Sequence, residues 1–128
     1  MRIDDARNIY ESLSTLMTKK LPIKMAFAIQ KNMKQIKEIV DFSSEREGEI
    51  IRKYAMRDEN GEPQRTEDGE RILINDAPLF IEDMDELTNT EMPVELTKIS
   101  MSDIERCDED RFDSLSPSEI GALEEMIE

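Results

Sequence analysis

The stretch "LPIKMAFAIQKNMKQIKEIVDFSSEREGEIIRKY", residues 21–54, decides the fold. Proline suits the first helical position and disfavours helix for the residue before it, so Leu21-Pro22 opens a helix. From there Ile29, Met33, Ile36 and Val40, then Ser43 and Glu47, then Ile50 and Tyr54 fall at alternating steps of four and three. This is a heptad seam with a polar interruption. It predicts a helix of about 35 residues, about 50 Å long, which exceeds what a domain of this size needs across its core. Two readings follow. Either "SSEREGE" (43–49), with Gly48, breaks the helix, or the far half packs on another chain. The second is favoured, because long uncapped heptad patterns usually have a partner helix. The expectation is a homo-oligomer joined along Ile29, Met33, Ile36, Val40, Ile50 and Tyr54.

Outward from this helix, Asp4 or Asp5 caps a first helix carrying Ile9, Leu13, Leu16 and Met17 and ending near Lys20. Downstream, "DENGEPQRTEDGERILI" (58–74) holds two turn dipeptides, Asn60-Gly61 and Asp68-Gly69, around two short stretches, and reads as a β-hairpin or protruding loop. Pro78 opens a helix over 78–88, and "EMPVELTKI" alternates Met92, Val94, Leu96 and Ile99 as one strand. Ser116-Pro117-Ser118-Glu119 supplies a cap, a proline at the first position and a reciprocal glutamate for a last helix. The fold class expected is α+β, mostly α: a long central helix with an N-terminal helix, a β-hairpin and a C-terminal helix. A chain of 128 residues fits one domain, 1–128, made of a helical hairpin (1–57), a hairpin or loop (58–75) and an acidic α+β half (76–128). Scarce aromatics and nine methionines suit a helical core.

Charge is unevenly placed. Net charge is −14, yet residues 18–37 carry six lysines and no acid, while residues 76–128 hold seventeen acids against Lys98, Arg106 and Arg111. The acidic half repels nucleic acid and membrane phosphate and attracts basic protein surfaces, so no DNA, RNA or membrane binding is expected. The start "MRIDDARNIY" lacks the basic and then apolar pattern of a signal peptide, and no window resembles a membrane span. A cytoplasmic protein is expected.

The chemistry available is narrow. With no histidine and one cysteine, Cys107, the usual zinc sets, a histidine base and an internal disulfide are absent. No phosphate-cradling glycine loop or nucleophile elbow occurs, and neither acidic run has the glycine and glutamate spacing of an EF-hand. The reading is no enzyme, no metal and no cofactor. Two candidate sites remain. Lys19, Lys20, Lys24 and Lys31, with Phe27 among them, surround a helix start that favours anions, and an aromatic among lysines can stack a nucleobase. Alternatively these lysines pair with the acidic half of the same or a neighbouring chain while Phe27 packs on the first helix. The second candidate is the surface of Asp103, Glu105, Asp108, Glu109, Asp110 and Asp113, which is either a solvated face or a docking surface for a basic protein.

The order of a first helix, "KKLPIKMAFAIQKNMKQI", a long charged helix ending "RKYAMRDENGEP", then "ELTNTEMPVEL" and a closing "LSPSEIGALEEMIE" resembles a group of small proteins from tailed phages and prophages. The resemblance covers most of the chain. Its local marks are Leu21-Pro22-Ile23-Lys24, Tyr54 followed by Asp58-Glu59-Asn60-Gly61, and Ser116-Pro117-Ser118-Glu119. The group brings no settled activity and no catalytic residues to carry over. The resemblance implies a phage accessory protein that binds a host protein and blunts a host defence or host factor. The alternatives are a sponge that sequesters an anionic nucleotide signal at the basic helix start, and a virion-assembly or scaffold component.

Overall fold

The computed structural model describes residues 1–128 and contains five α-helices: α1 (Ile3–Ser14), α2 (Ile23–Tyr54), α3 (Ala77–Asn89), α4 (Met101–Arg106) and α5 (Pro117–Leu123). Helix α2 is unbroken over 32 residues, about 48 Å, with Gly48 inside it. The antiparallel α1 packs along it, with Arg7 reaching Ser43 and Glu47 at one end. Helix α1 starts at Ile3, with Asp4 and Asp5 in its first turn rather than at the cap. There they face the positive end of the helix dipole.

One core holds the molecule together, built from Ile3 and Leu13 of α1, Met25, Ile29, Ile36 and Ile39 of α2, Leu87 of α3, and Leu123 and Met126 near the C-terminus. The buried stripe of α2 runs Met25, Ala28, Ile29, Asn32, Ile36, Ile39 and Ser43. It shares Ile29 and Ile36 with the seam read from the sequence but is displaced around the helix. Met33, Val40 and Ile50 lie half-buried against the same core, and Tyr54 bonds Asp83 of α3. Of the expected seam, Ile29 and Ile36 are thus buried within the chain, while Met33, Val40, Ile50 and Tyr54 stay partly exposed. The polar interruption has a local reason as well: Arg7 Nε donates to Ser43 Oγ at 3.0 Å and Arg7 Nη2 to Glu47 at 2.8 Å.

The α+β expectation is wrong in its β part. The protein is about 60% helical and contains no sheet; extended segments meet only in isolated bridges. Both expected turns do form: Gly61 and Gly69 take positive φ of 80° and 74°, where a side chain would strain the backbone. What fails is the pairing of a hairpin. Met56 N–H donates to the Leu73 carbonyl, Leu73 N–H to the Gln64 carbonyl, and Gln64 N–H to the Met56 carbonyl, at 2.7–2.8 Å. Three segments that are mutual neighbours in this way cannot lie in one plane, so the ring of bonds closes a small three-sided arm instead of extending a ladder.

The strand expected over 92–99 is likewise an extended strap, whose only β-bridge joins Ile99 to Ile127. Its start is stitched to the N-terminal residues, with Ile3 N–H on the Thr90 carbonyl and Met92 N–H on the Met1 carbonyl. Its end is stitched to the C-terminal ones, with Ile99 N–H on the Met126 carbonyl and Glu128 N–H on the Ile99 carbonyl. Between them two side chains of α2 take the part of a strand. Gln35 donates to the Glu95 carbonyl and accepts its N–H (2.6 and 2.9 Å), and Asn32 does the same at Thr97 (2.9 and 2.7 Å). Met92, Glu95, Thr97 and Ile99 each bond a different part of the chain, so no ladder propagates along the strap.

Candidate functional site

The basic stretch divides into one engaged lysine and a free set. Lys19 follows a 3-10 turn (Thr15–Thr18) and bonds Glu119 at 2.6 Å and the Ser114 carbonyl at 2.8 Å. Glu119 is the reciprocal member of the capping box at α5: Glu119 N–H donates to Ser116 Oγ, and Ser116 N–H donates back to the glutamate at 2.9 Å. Thr15 adds a third donor at 2.8 Å. Burial of this carboxyl, 5% exposed, works against ionisation, but the Lys19 ammonium and the N–H and O–H donors outweigh it and hold its pKa down at about 2. Lys19 thus neutralises an acid of its own chain.

Lys20, Lys24, Lys31, Lys34 and Lys37 form no ion pair within the chain. Phe27 does not pack on α1; it is 65% exposed, and Ile23 one turn earlier is 82% exposed. The five residues read as one anion site do not converge. Lys19 is committed to Glu119, Phe27 and Lys31 line a shallow depression with Gln30 and Lys34, and Lys24 turns to a different groove.

The acidic candidates also divide. Asp113 accepts the Lys20 N–H at 2.7 Å and returns its own N–H to the Lys20 carbonyl, fixing the entry into α2. Asp103 bonds Arg106, and Glu109 pairs with both Arg106 (3.8 Å) and Arg111 (2.9 Å). Glu105, Asp108 and Asp110 are exposed and carry no ion pair or side-chain hydrogen bond. Between them Cys107 is buried, with Sγ 3.6 Å from Met25 Sδ, and burial together with Asp108 and Asp103 pushes its thiol above the ordinary range. No group of three or more carboxylate or thiol side chains is arranged to hold a metal ion.

Sequence reasoning missed one feature. Lys98, Arg106 and Arg111, the only bases of the acidic half, all line a single groove of about 720 Å³, and Lys24 joins them from the first turn of α2. Arg106 and Arg111 flank the Phe112 ring, with guanidinium carbons 5.4 and 4.9 Å from its centroid. Their isolation among acids was the available signal; their convergence depends on the tertiary fold.

No helix is long and apolar enough to cross a membrane. Comparison with protein-family models, curated proteins and solved structures finds no match.

Proposed function

We propose that this chain is a non-enzymatic binding protein that docks its acidic half onto a basic surface of a partner protein. The observation that carries the reading is the end of α4 and the turn after it: Glu105, Asp108 and Asp110 stand exposed and uncompensated there. The nearest bases, Arg106 and Arg111, are held by Asp103 and Glu109 instead. Such a surface steers encounter with a cationic partner and rejects anionic ones. The buried, proton-retaining Cys107 agrees with binding in preference to covalent chemistry. The phage resemblance makes a bacterial host protein the class of partner, and blunting of a host defence or host factor the consequence.

The test is affinity capture from the host cytoplasm with the full chain as bait, followed by titration of the captured protein. The variant Glu105→Gln, Asp108→Asn, Asp110→Asn spares every acid with a structural partner. It should weaken the complex about tenfold or more and flatten its salt dependence. Equal affinity and an equal salt slope would refute the docking surface.

A further inference from the structure

We propose that the groove between the start of α2, α4 and the C-terminal residues binds a phosphate-bearing small molecule of nucleotide size. This goes beyond the docking surface and stands independently of it. Residues 76–128 contain three bases among seventeen acids, and all three point to one place, where a fourth cation, Lys24, arrives from another helix. A solvated, charge-balanced surface gives no reason for that convergence.

The cations are placed but not consumed. Glu109 accepts from Nε of Arg111 at 2.9 Å and lies 3.8 Å from Nε of Arg106, and Asp103 accepts from one terminal nitrogen of Arg106, so these carboxylates orient the guanidinium groups. Both terminal nitrogens of Arg111 and one of Arg106 are left without a hydrogen-bond partner. The Lys24 ammonium makes no hydrogen bond, and that of Lys98 spends one of its three donors on the Glu125 carbonyl at 2.9 Å. Guanidinium forks with free terminal N–H groups match phosphate oxygens, and ammonium groups add charge without fixed geometry. The first turn of α2, with no acid and no side-chain cap, lies at the same groove and adds the positive end of a long dipole. Glu128 also lines the groove and is the one acidic side chain there not engaged in orienting a base. The volume of about 720 Å³ falls within the range of pockets that enclose a nucleotide-sized ligand, and the arginine planes beside Phe112 offer a surface for a base.

The experiment is calorimetric titration of the full chain with ADP, inorganic phosphate and adenosine. Saturable binding of ADP, weaker binding of phosphate and none of adenosine is expected. Lys98→Glu with Arg111→Glu, both at exposed positions, should raise the Kd for ADP at least tenfold with an unchanged circular dichroism spectrum. Lys31→Glu with Lys34→Glu, outside the groove, should change it less than threefold. Absence of saturation at millimolar ADP, adenosine binding as tightly as ADP, or equal losses in the two double variants would each overturn the proposal.

Discussion

Asn32 presents both ends of its amide to the peptide of Thr97, donating to the carbonyl at 2.9 Å and accepting the N–H at 2.7 Å, in a place where neither side chain nor strap has another partner. The side chain is fully buried. Asn32→Leu keeps the branched shape and leaves both Thr97 groups unpaired, so it should destabilise the fold by about 2–4 kcal/mol in urea denaturation. Gln35→Ala removes the equivalent pair at Glu95 from an exposed position, where water substitutes, and should cost about 1 kcal/mol or less. Equal costs at the two sites would mean that the strap is not held by buried amide pairing.

Glu119 ties stability to pH. Its folded pKa, about 2, lies below the ordinary value of 4.5, so its contribution is complete above 4.5 and lost as pH falls through about 2. Glu119→Gln removes the ion pair with Lys19 while keeping the shape, and should cost about 2 kcal/mol at neutral pH. Thermal melts of both proteins should run at a constant separation above about pH 5 and converge between pH 4.5 and 2. A separation that does not change with pH would assign the effect to packing alone.

What was legible in the sequence was local. The Ser116–Glu119 capping box, the glycines of the two turns and the length of α2 each follow from residues within a few positions of one another. Asn60-Gly61 and Asp68-Gly69 fixed where the chain turns, but not which segments meet; Met56 completes the ring of the arm, and nothing near it in sequence marks it. Lys19 was indistinguishable from its neighbours because Glu119 lies one hundred residues away. Asn32 carries no local signal of its role: it lies in the buried stripe and answers to a peptide 65 positions distant. The candidate groove is of the same kind, since its four cations come from two helices, a strap end and a turn.

Arg7 ties α1 to the far part of α2. Its side chain joins Ser43 and Glu47, and the Arg7–Glu47 pair is partly shielded, with side chains 28% and 37% exposed. A double-mutant cycle of Arg7→Met and Glu47→Gln should give a coupling of about 0.5–1 kcal/mol that shrinks at high salt. Zero coupling at low salt would leave Ser43 as the only partner of consequence.

The energetics of Gly48 test the reading in which 43–49 breaks α2. A glycine inside a helix costs about 0.5–1 kcal/mol relative to alanine, because the unfolded chain loses more freedom on folding. The nearest atom to an added Cβ at Gly48 is Nη1 of Arg52 at 3.4 Å, the mobile end of a long side chain. Gly48→Ala should therefore stabilise the protein by about 0.5–1 kcal/mol and raise Tm by about 2–5 °C. A helix broken at 43–49 predicts the reverse, since a break at glycine is where alanine is strained. Gly61→Ala supplies the contrast: with φ at 80°, the same substitution should lower stability by about 1 kcal/mol. Opposite signs at the two glycines would establish α2 as one continuous helix in solution, and a loss at both would place a break within it.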